Sequence, residues 1–198
     1  MKKQLILFAI LASTTSTIAS FRVNGYAQSD YYVFQNKGVT DNFKLRSATI
    51  IAKGNIAKNV KFQIAPDFGQ GKVELIDAYI DITLNPLLTI RSGKGKAPFG
   101  LERLQPVTDT PFIAFGYPTQ IAPNREVGLS LYGKDAFTGL SYSTGLFNGA
   151  PDGGSDDTDN ENQKDWIGRI FWNPTSEIGI GIAQSIGRNW ISIRDRNH

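Results

Sequence analysis

The feature that most constrains this chain is a period of two over residues 76–84, within the run 72–84. Ile76, Ala78, Ile80, Ile82 and Leu84 fall on one side, and Asp77, Tyr79, Asp81 and Thr83 on the other. A helix would mix these two sets, whereas an extended strand sends successive side chains to opposite faces. The same rule separates Val127, Leu129 and Leu131 from Glu126, Gly128, Ser130 and Tyr132. It also separates Ile178, Ile180, Ile182 and Ile186 from Gly179, Gly181, Ala183 and Ser185. Each run thus has one apolar face and one small or polar face. Gly, Pro, Asn and Asp punctuate the runs, so the chain from residue 21 onward reads as all-β. Nine strands are expected, at 22–34, 43–54, 58–67, 72–84, 87–96, 125–133, 137–147, 165–172 and 177–187.

A soluble sandwich would alternate in the same way. The connections separate the two cases, because their lengths alternate too. Asn55–Ala57, Asn85–Pro86, Lys134–Ala136 and Asn173–Ser176 are short, with 2 to 4 residues, while the links between them hold 8, 4, 28 and 17. Short turns at one end and longer loops at the other describe an antiparallel up-and-down transmembrane β-barrel of the outer-membrane type. Strands of 8 to 13 residues suit the roughly 9–11 needed to cross a bilayer at a tilt.

The N-terminus agrees with export. Lys2 and Lys3 precede an apolar stretch, Leu5–Ala12, too short to span a bilayer, and then a small, polar segment to Ser20. Residues 1–20 are therefore expected to be a signal peptide cleaved after Ala19 or Ser20, and residues 21–198 the barrel domain. Removing the two lysines leaves 19 basic and 18 acidic residues, so the mature chain is nearly neutral and offers no case for nucleic-acid binding. Cysteine is absent and the single histidine is the terminal His198. Disulfides and Cys-ligated metals are thereby excluded, and neither His-dependent catalysis, nor an enzyme, nor a cofactor is expected.

Two of the long links carry information. Residues 97–124 combine Pro98, Pro106, Pro111, Pro118 and Pro123 with Phe99, Phe112, Phe115 and Tyr117. Apolar content of this kind in a 28-residue link suggests a constriction-type loop folded against the inner wall of a wide barrel. An external interaction loop, or a further strand near Phe112–Gly116, are the alternatives. Residues 148–164 form an acidic extracellular loop. Asp157, Asp159 and Glu161 are a weak Ca²⁺ candidate, because the spacing lacks the Gly and the distant Glu of a calcium loop. Gly93-Lys94-Gly95-Lys96 fails the spacing of a phosphate-binding loop and precedes no helix.

Three stretches resemble the phosphate-selective porin O and P family of Gram-negative outer membranes. They are Phe62–Gly69 running into Leu75–Asp81, then Gly93–Gln105, which is the most specific, then Gly145–Gly153. The likeness spans residues 22–187 with gaps. Gly95 departs from it, since an aromatic is expected between Lys94 and Lys96. The resemblance implies an outer-membrane porin that passes phosphate or other small anions by passive diffusion, built as a barrel of about sixteen strands and often as a homotrimer. Only about nine strands are legible, and the chain ends in the polar Arg194–His198 where such barrels finish on an amphipathic strand. The expectation is therefore an N-terminal part of a family member. A small closed barrel acting as an adhesin or ion-binding surface protein is the alternative.

Charge placement narrows the anion path. Residues 148–165 hold six acids and one base, which leaves 18 basic and 12 acidic groups on the rest of the mature chain. Lys94, Lys96, Arg103 and Arg125 flank or enter the long loop, while Arg46 and Arg91 lie in neighbouring strand pairs. These six are the candidate anion path, since guanidinium groups offer phosphate a planar donor fork and lysines act as point charges. The competing reading pairs Arg46 and Arg91 with Asp77 and Asp81 and leaves Lys94 and Lys96 as rim anchors. Lys94 and Lys96 share parity with Leu88 and Ile90, so either they lie above the lipid or a bulge near Gly93 or Gly95 shifts the register.

Overall fold

The computed structural model describes residues 20–33, 40–110, 115–120, 122–149 and 164–187. Residues 1–19 of the expected signal peptide, the Asp157, Asp159 and Glu161 cluster and the polar C-terminal segment lie outside these residues.

Nine strands form one sheet: β1 (Phe21–Tyr32), β2 (Asn42–Ala57), β3 (Val60–Asp67), β4 (Glu74–Asn85), β5 (Leu88–Lys96), β6 (Arg125–Lys134), β7 (Leu140–Phe147), β8 (Asp165–Trp172) and β9 (Ile180–Ile186). Their spatial order is their chain order, and every neighbouring pair is antiparallel. The fold is thus an up-and-down meander, as the alternating links require. β1 and β9 are its two edges and do not pair with each other, so among the described residues the wall is open.

The two faces of this wall reverse the rule for soluble proteins. Ile82, Leu84, Leu129, Leu131, Ile170 and Ile182 are all exposed, as are many other large apolar residues. The buried hydrophobic residues are only Ala65, Ala97, Phe147 and Ile167 among those described. Exposing a Leu or Ile to water costs about 1.5–3 kcal/mol each, so a face made of them is stable only against hydrocarbon. No described helix is long and apolar enough to cross a membrane.

Aromatic residues mark both ends of the wall. Tyr31 and Phe43 meet at 4.4 Å between ring centroids at the long-loop end, and Phe21 and Phe62 stack at 6.3 Å at the other. At that short-turn end the outward-facing Tyr142 donates its hydroxyl to the Leu87 carbonyl at 2.6 Å. Trp172 Nε1 donates to the Thr138 carbonyl at 2.9 Å. Such residues suit the membrane interface because one end is apolar and the other seeks a polar partner.

Several strand ends differ from the sequence-based boundaries, each for a local reason. β2 continues through Asn55–Ala57, leaving only Lys58-Asn59 as the turn, because a register shift between Asn55 and Ala57 accommodates the extra residue. β7 starts at Leu140 instead of 137, because Asp135 organises residues 135–139 into a turn. Its side chain accepts from Phe137 N and Thr138 Oγ1, and Gly139 supplies the positive φ of 71° that closes it. β9 starts at Ile180, because Thr175 Oγ1 accepts from the amides of Glu177 and Ile178 and holds them out of the sheet. The β8–β9 link therefore has seven residues and the β3–β4 link six, so length separates the two ends on average and not link by link.

Candidate functional site

The polar face of the wall is set by register. Asp81 lies opposite Arg91, which lies opposite Ser130, and on the next rung Thr83, Thr89 and Tyr132 follow in line. Together with the long loop these strands enclose a cavity of about 750 Å³. Its lining holds five basic side chains, Arg91, Lys96, Arg125, Lys134 and Arg169, against two acidic ones, Asp77 and Glu126. Between them lie hydroxyls and amides such as Asn24, Gln63, Thr89, Ser130 and Ser143.

Two ion pairs organise the centre. Arg91 binds Asp81 through both Nε (2.7 Å) and Nη2 (2.8 Å), and the Tyr132 hydroxyl donates to Asp81 Oδ2 at 2.8 Å. The guanidinium also lies 3.7 Å from the Tyr79 ring centroid and 5.2 Å from that of Tyr132. Planar stacking and a bidentate fork are arginine properties that lysine would not reproduce. Room for this stack comes from two missing side chains. A Cβ on Gly93, whose φ is +125°, would fall 2.2 Å from the Ala78 carbonyl oxygen, and a Cβ on Gly95 would meet the Tyr79 ring at 3.3 Å. The second pair joins Arg125 Nε to Asp77 Oδ1 at 2.9 Å, with Gln63 Nε2 donating to Asp77 Oδ2 at 3.0 Å.

The long loop returns to the wall from both its ends. Ala97 N donates to the Asn124 carbonyl at 2.8 Å, closing the loop at its base. Ala97 then packs with Phe147 and Ile167, and Phe99 packs against this cluster. Leu104, Pro106 and Val107 line the main cavity, and Leu101 borders a second, open one beside Phe137 and Phe171 at the short-turn end. Within the loop, α1 (Leu101–Leu104) and α2 (Tyr117–Gln120) are clamped together. The Glu102 carboxylate accepts from Gly116 N and from the Thr119 hydroxyl, and Arg103 Nη2 donates to the Thr119 carbonyl.

The six sequence-selected cations fare differently. Arg91 and Arg125 line the cavity, each bound to a carboxylate. Arg46 pairs with Asp30 at 3.5 Å, not with Asp77 or Asp81. Lys96 lines the cavity and donates to the Gln105 carbonyl at 2.7 Å, and Arg103 sits within the loop clamp, 5.1 Å from the Phe115 ring. Lys94 is only 5% exposed, between Ala78 and Val127 in the ladder, and does not line the cavity. The register runs unbroken from Thr89–Tyr132 to Lys96–Arg125, so no bulge redirects these lysines.

Among the other cations that face the interior, Arg22, Lys53, Lys61 and Arg169 have no ion pair among the described residues. Arg169 lines the cavity with its guanidinium 4.4 Å from the Phe171 ring. Arg22 and Lys53 are cross-strand partners, and they share parity with cavity-lining Asn24 and Ile51; Lys61 shares parity with Gln63 and Ala65. The signal for all four was strand parity, readable once each strand's inner face is known.

The sequence matches the family described as phosphate-selective porin O and P over residues 21–187 of 198. No curated protein matches it. The match covers all nine strands and the loop folded onto them, and the outward apolar face and polar cavity are those of a membrane barrel wall. The chain belongs to the phosphate-selective porin O and P family.

Proposed function

We propose that the chain contributes to an outer-membrane pore that passes phosphate and other small anions by passive diffusion. The observation that carries this reading is the excess of basic over acidic side chains lining the cavity between the wall and the long loop. Low-dielectric walls focus such a field and raise the local concentration of anions. In this reading residues 97–124 are the constriction. Arg91 and Arg125, neutralised by Asp81 and Asp77, shape the passage, while Arg22, Lys53, Lys61 and Arg169 carry its field.

A water-filled pore in lipid needs a closed wall, because an open edge leaves backbone groups unpaired in hydrocarbon. The nine strands are accordingly proposed as part of a barrel of about sixteen. Strand direction supports this number. β1 and β9 run the same way, so closing the wall with antiparallel pairs takes an odd number of further strands, and seven satisfies the condition. Two copies joined edge to edge would instead set β1 parallel to β9. β1 pairs only with β2 and β9 only with β8, which lends no support to a small closed barrel. Assembly as a homotrimer rests on the family resemblance and is tested by native mass spectrometry of the detergent-extracted protein.

The decisive measurement is the reversal potential of the outer-membrane protein in planar bilayers under a salt gradient. The expected sign is that of anion preference, with phosphate reducing chloride current. Equal anion and cation permeability would sink the selectivity claim.

A further inference from the structure

Alternation along β4 groups Ile76 with Ala78, Ile80 and Ile82 on the hydrocarbon face, and the structure turns it the other way. Ala65 pairs with Asp77 and Pro66 with Leu75, so the β3–β4 ladder skips Ile76. A bulge of this kind adds one residue to a strand and re-aims its side chain. Ile76 accordingly lines the main cavity beside Asp77, while Leu75 is exposed on the outer face. β2 uses the same device: Gln28 pairs with Ser47 and Ser29 with Leu45, which leaves Arg46 over. Both extra residues, Arg46 and Ile76, line a further cavity of about 230 Å³ at the long-loop end of the wall.

Among the described residues, four line both this outer cavity and the inner one of about 750 Å³: Tyr26, Ile76, Val107 and Arg125. A solute moving from one chamber to the other meets these four. Ile76 comes from the wall, Val107 from the long loop, and Tyr26 adds a ring from β1. On either side the lining turns polar, with Gln28, Ser47 and Asn124 in the outer chamber and Asn24, Gln63 and Thr89 in the inner one. An apolar ring between two wet chambers holds water poorly, so a hydrated solute sheds part of its shell to cross. Arg125 supplies a replacement: it binds Asp77 through Nε, and its two Nη groups lie outside that bond. We propose that Ile76 and Val107 form an apolar neck that sets the size limit of the passage and strips water from a crossing solute, with the Arg125 guanidinium replacing that water for an anion. The inference rests on the reading of the cavity as part of a pore and adds the residues that decide what crosses it.

The chain contains no cysteine, so single cysteines report which way each side chain faces. I76C and L75C versions of the full-length protein are placed in planar bilayers and treated with a membrane-impermeant, negatively charged methanethiosulfonate. The current through I76C is expected to fall and that through L75C to stay unchanged. Modification at 75 and not at 76 would overturn the inward turn of Ile76 and the neck with it. V107T keeps the shape of the loop side chain and adds a hydroxyl. Phosphate holds its water more tightly than thiocyanate does, so V107T should raise phosphate conductance relative to thiocyanate conductance about two- to ten-fold. V107A should admit larger neutral polyethylene glycols than the unaltered protein does. An unchanged conductance ratio in V107T together with an unchanged polymer limit in V107A would overturn the proposal. Polymer exclusion uses neutral solutes, so it tests the neck separately from the anion preference on which the proposed function stands.

Discussion

The guanidinium of Arg91 lies over the Tyr79 ring at 3.7 Å while holding both oxygens of Asp81, at 2.7 and 2.8 Å. A cation locked in this way adds little net field to the passage, because its counter-charge is part of the same unit. Its removal exposes that counter-charge. R91Q is expected to lower the anion-to-cation permeability ratio roughly two- to ten-fold, by leaving Asp81 uncompensated in the wall. D81N is expected to raise it, and the double variant R91Q/D81N to return near the starting value. Reversal potentials in planar bilayers check all three. A double variant no closer to wild type than R91Q would show that the pair is not the relevant unit.

Arg169 stands opposite in character. Among the described residues it makes no ion pair, and its guanidinium contacts the Phe171 ring. R169Q should therefore reduce anion preference more than the R91Q/D81N double variant does, and R169K should retain most of it. A smaller effect for R169Q than for the double variant would place the field elsewhere. The combined K53Q/K61Q variant tests whether the β2–β3 cations contribute at the same level.

The long loop is fastened by Phe147, which packs with Ala97 and Ile167 and is 5% exposed. Truncating a well-packed Phe to Ala costs about 3–5 kcal/mol, and here the loss falls at the point where the loop meets the wall. F147A should lower stability toward urea in detergent micelles and turn steady single-channel current into fluctuating current. E102Q, which weakens the clamp on Gly116 and Thr119, should produce the fluctuation with a much smaller loss of stability. Steady current in both variants would separate the loop from the conducting path.

How much of this was readable beforehand depended on the range of the interaction. Strand faces follow from nearest neighbours in sequence, so Asp77, Tyr79 and Asp81 were assigned to one face from alternation alone. Strand order followed from link lengths, because short antiparallel turns leave little choice of neighbour. Pairing of charges did not follow. Arg125 and Asp77 are 48 residues apart and meet through register across β4, β5 and β6, which no local pattern encodes. The competing pairing of Arg46 with Asp77 or Asp81 fails for the same reason: its partner Asp30 lies on β1, past a register shift between Gln28 and Ser29. Selecting cations by closeness to the long loop favoured those that the loop and wall already engage. Arg22, Lys53, Lys61 and Arg169 needed parity carried through every strand.

The β6–β7 turn supplies a pH prediction with a defined sign. The Thr138 hydroxyl and the Phe137 amide both donate to Asp135 and hold its carboxyl below the usual 3.8, although the group is fully exposed. A carboxylate whose folded pKa is depressed stabilises the turn above its unfolded pKa, and that contribution is lost as pH falls through the folded value. The turn should therefore be unchanged from neutral pH down to about 4 and loosen only in stronger acid. The amide resonance of Phe137 in detergent micelles reports this directly, with an expected titration midpoint below 3.8. T138V removes the larger of the two donors and should move the midpoint back toward that value. A midpoint at or above it in the unaltered protein would show that the carboxylate does not hold the turn.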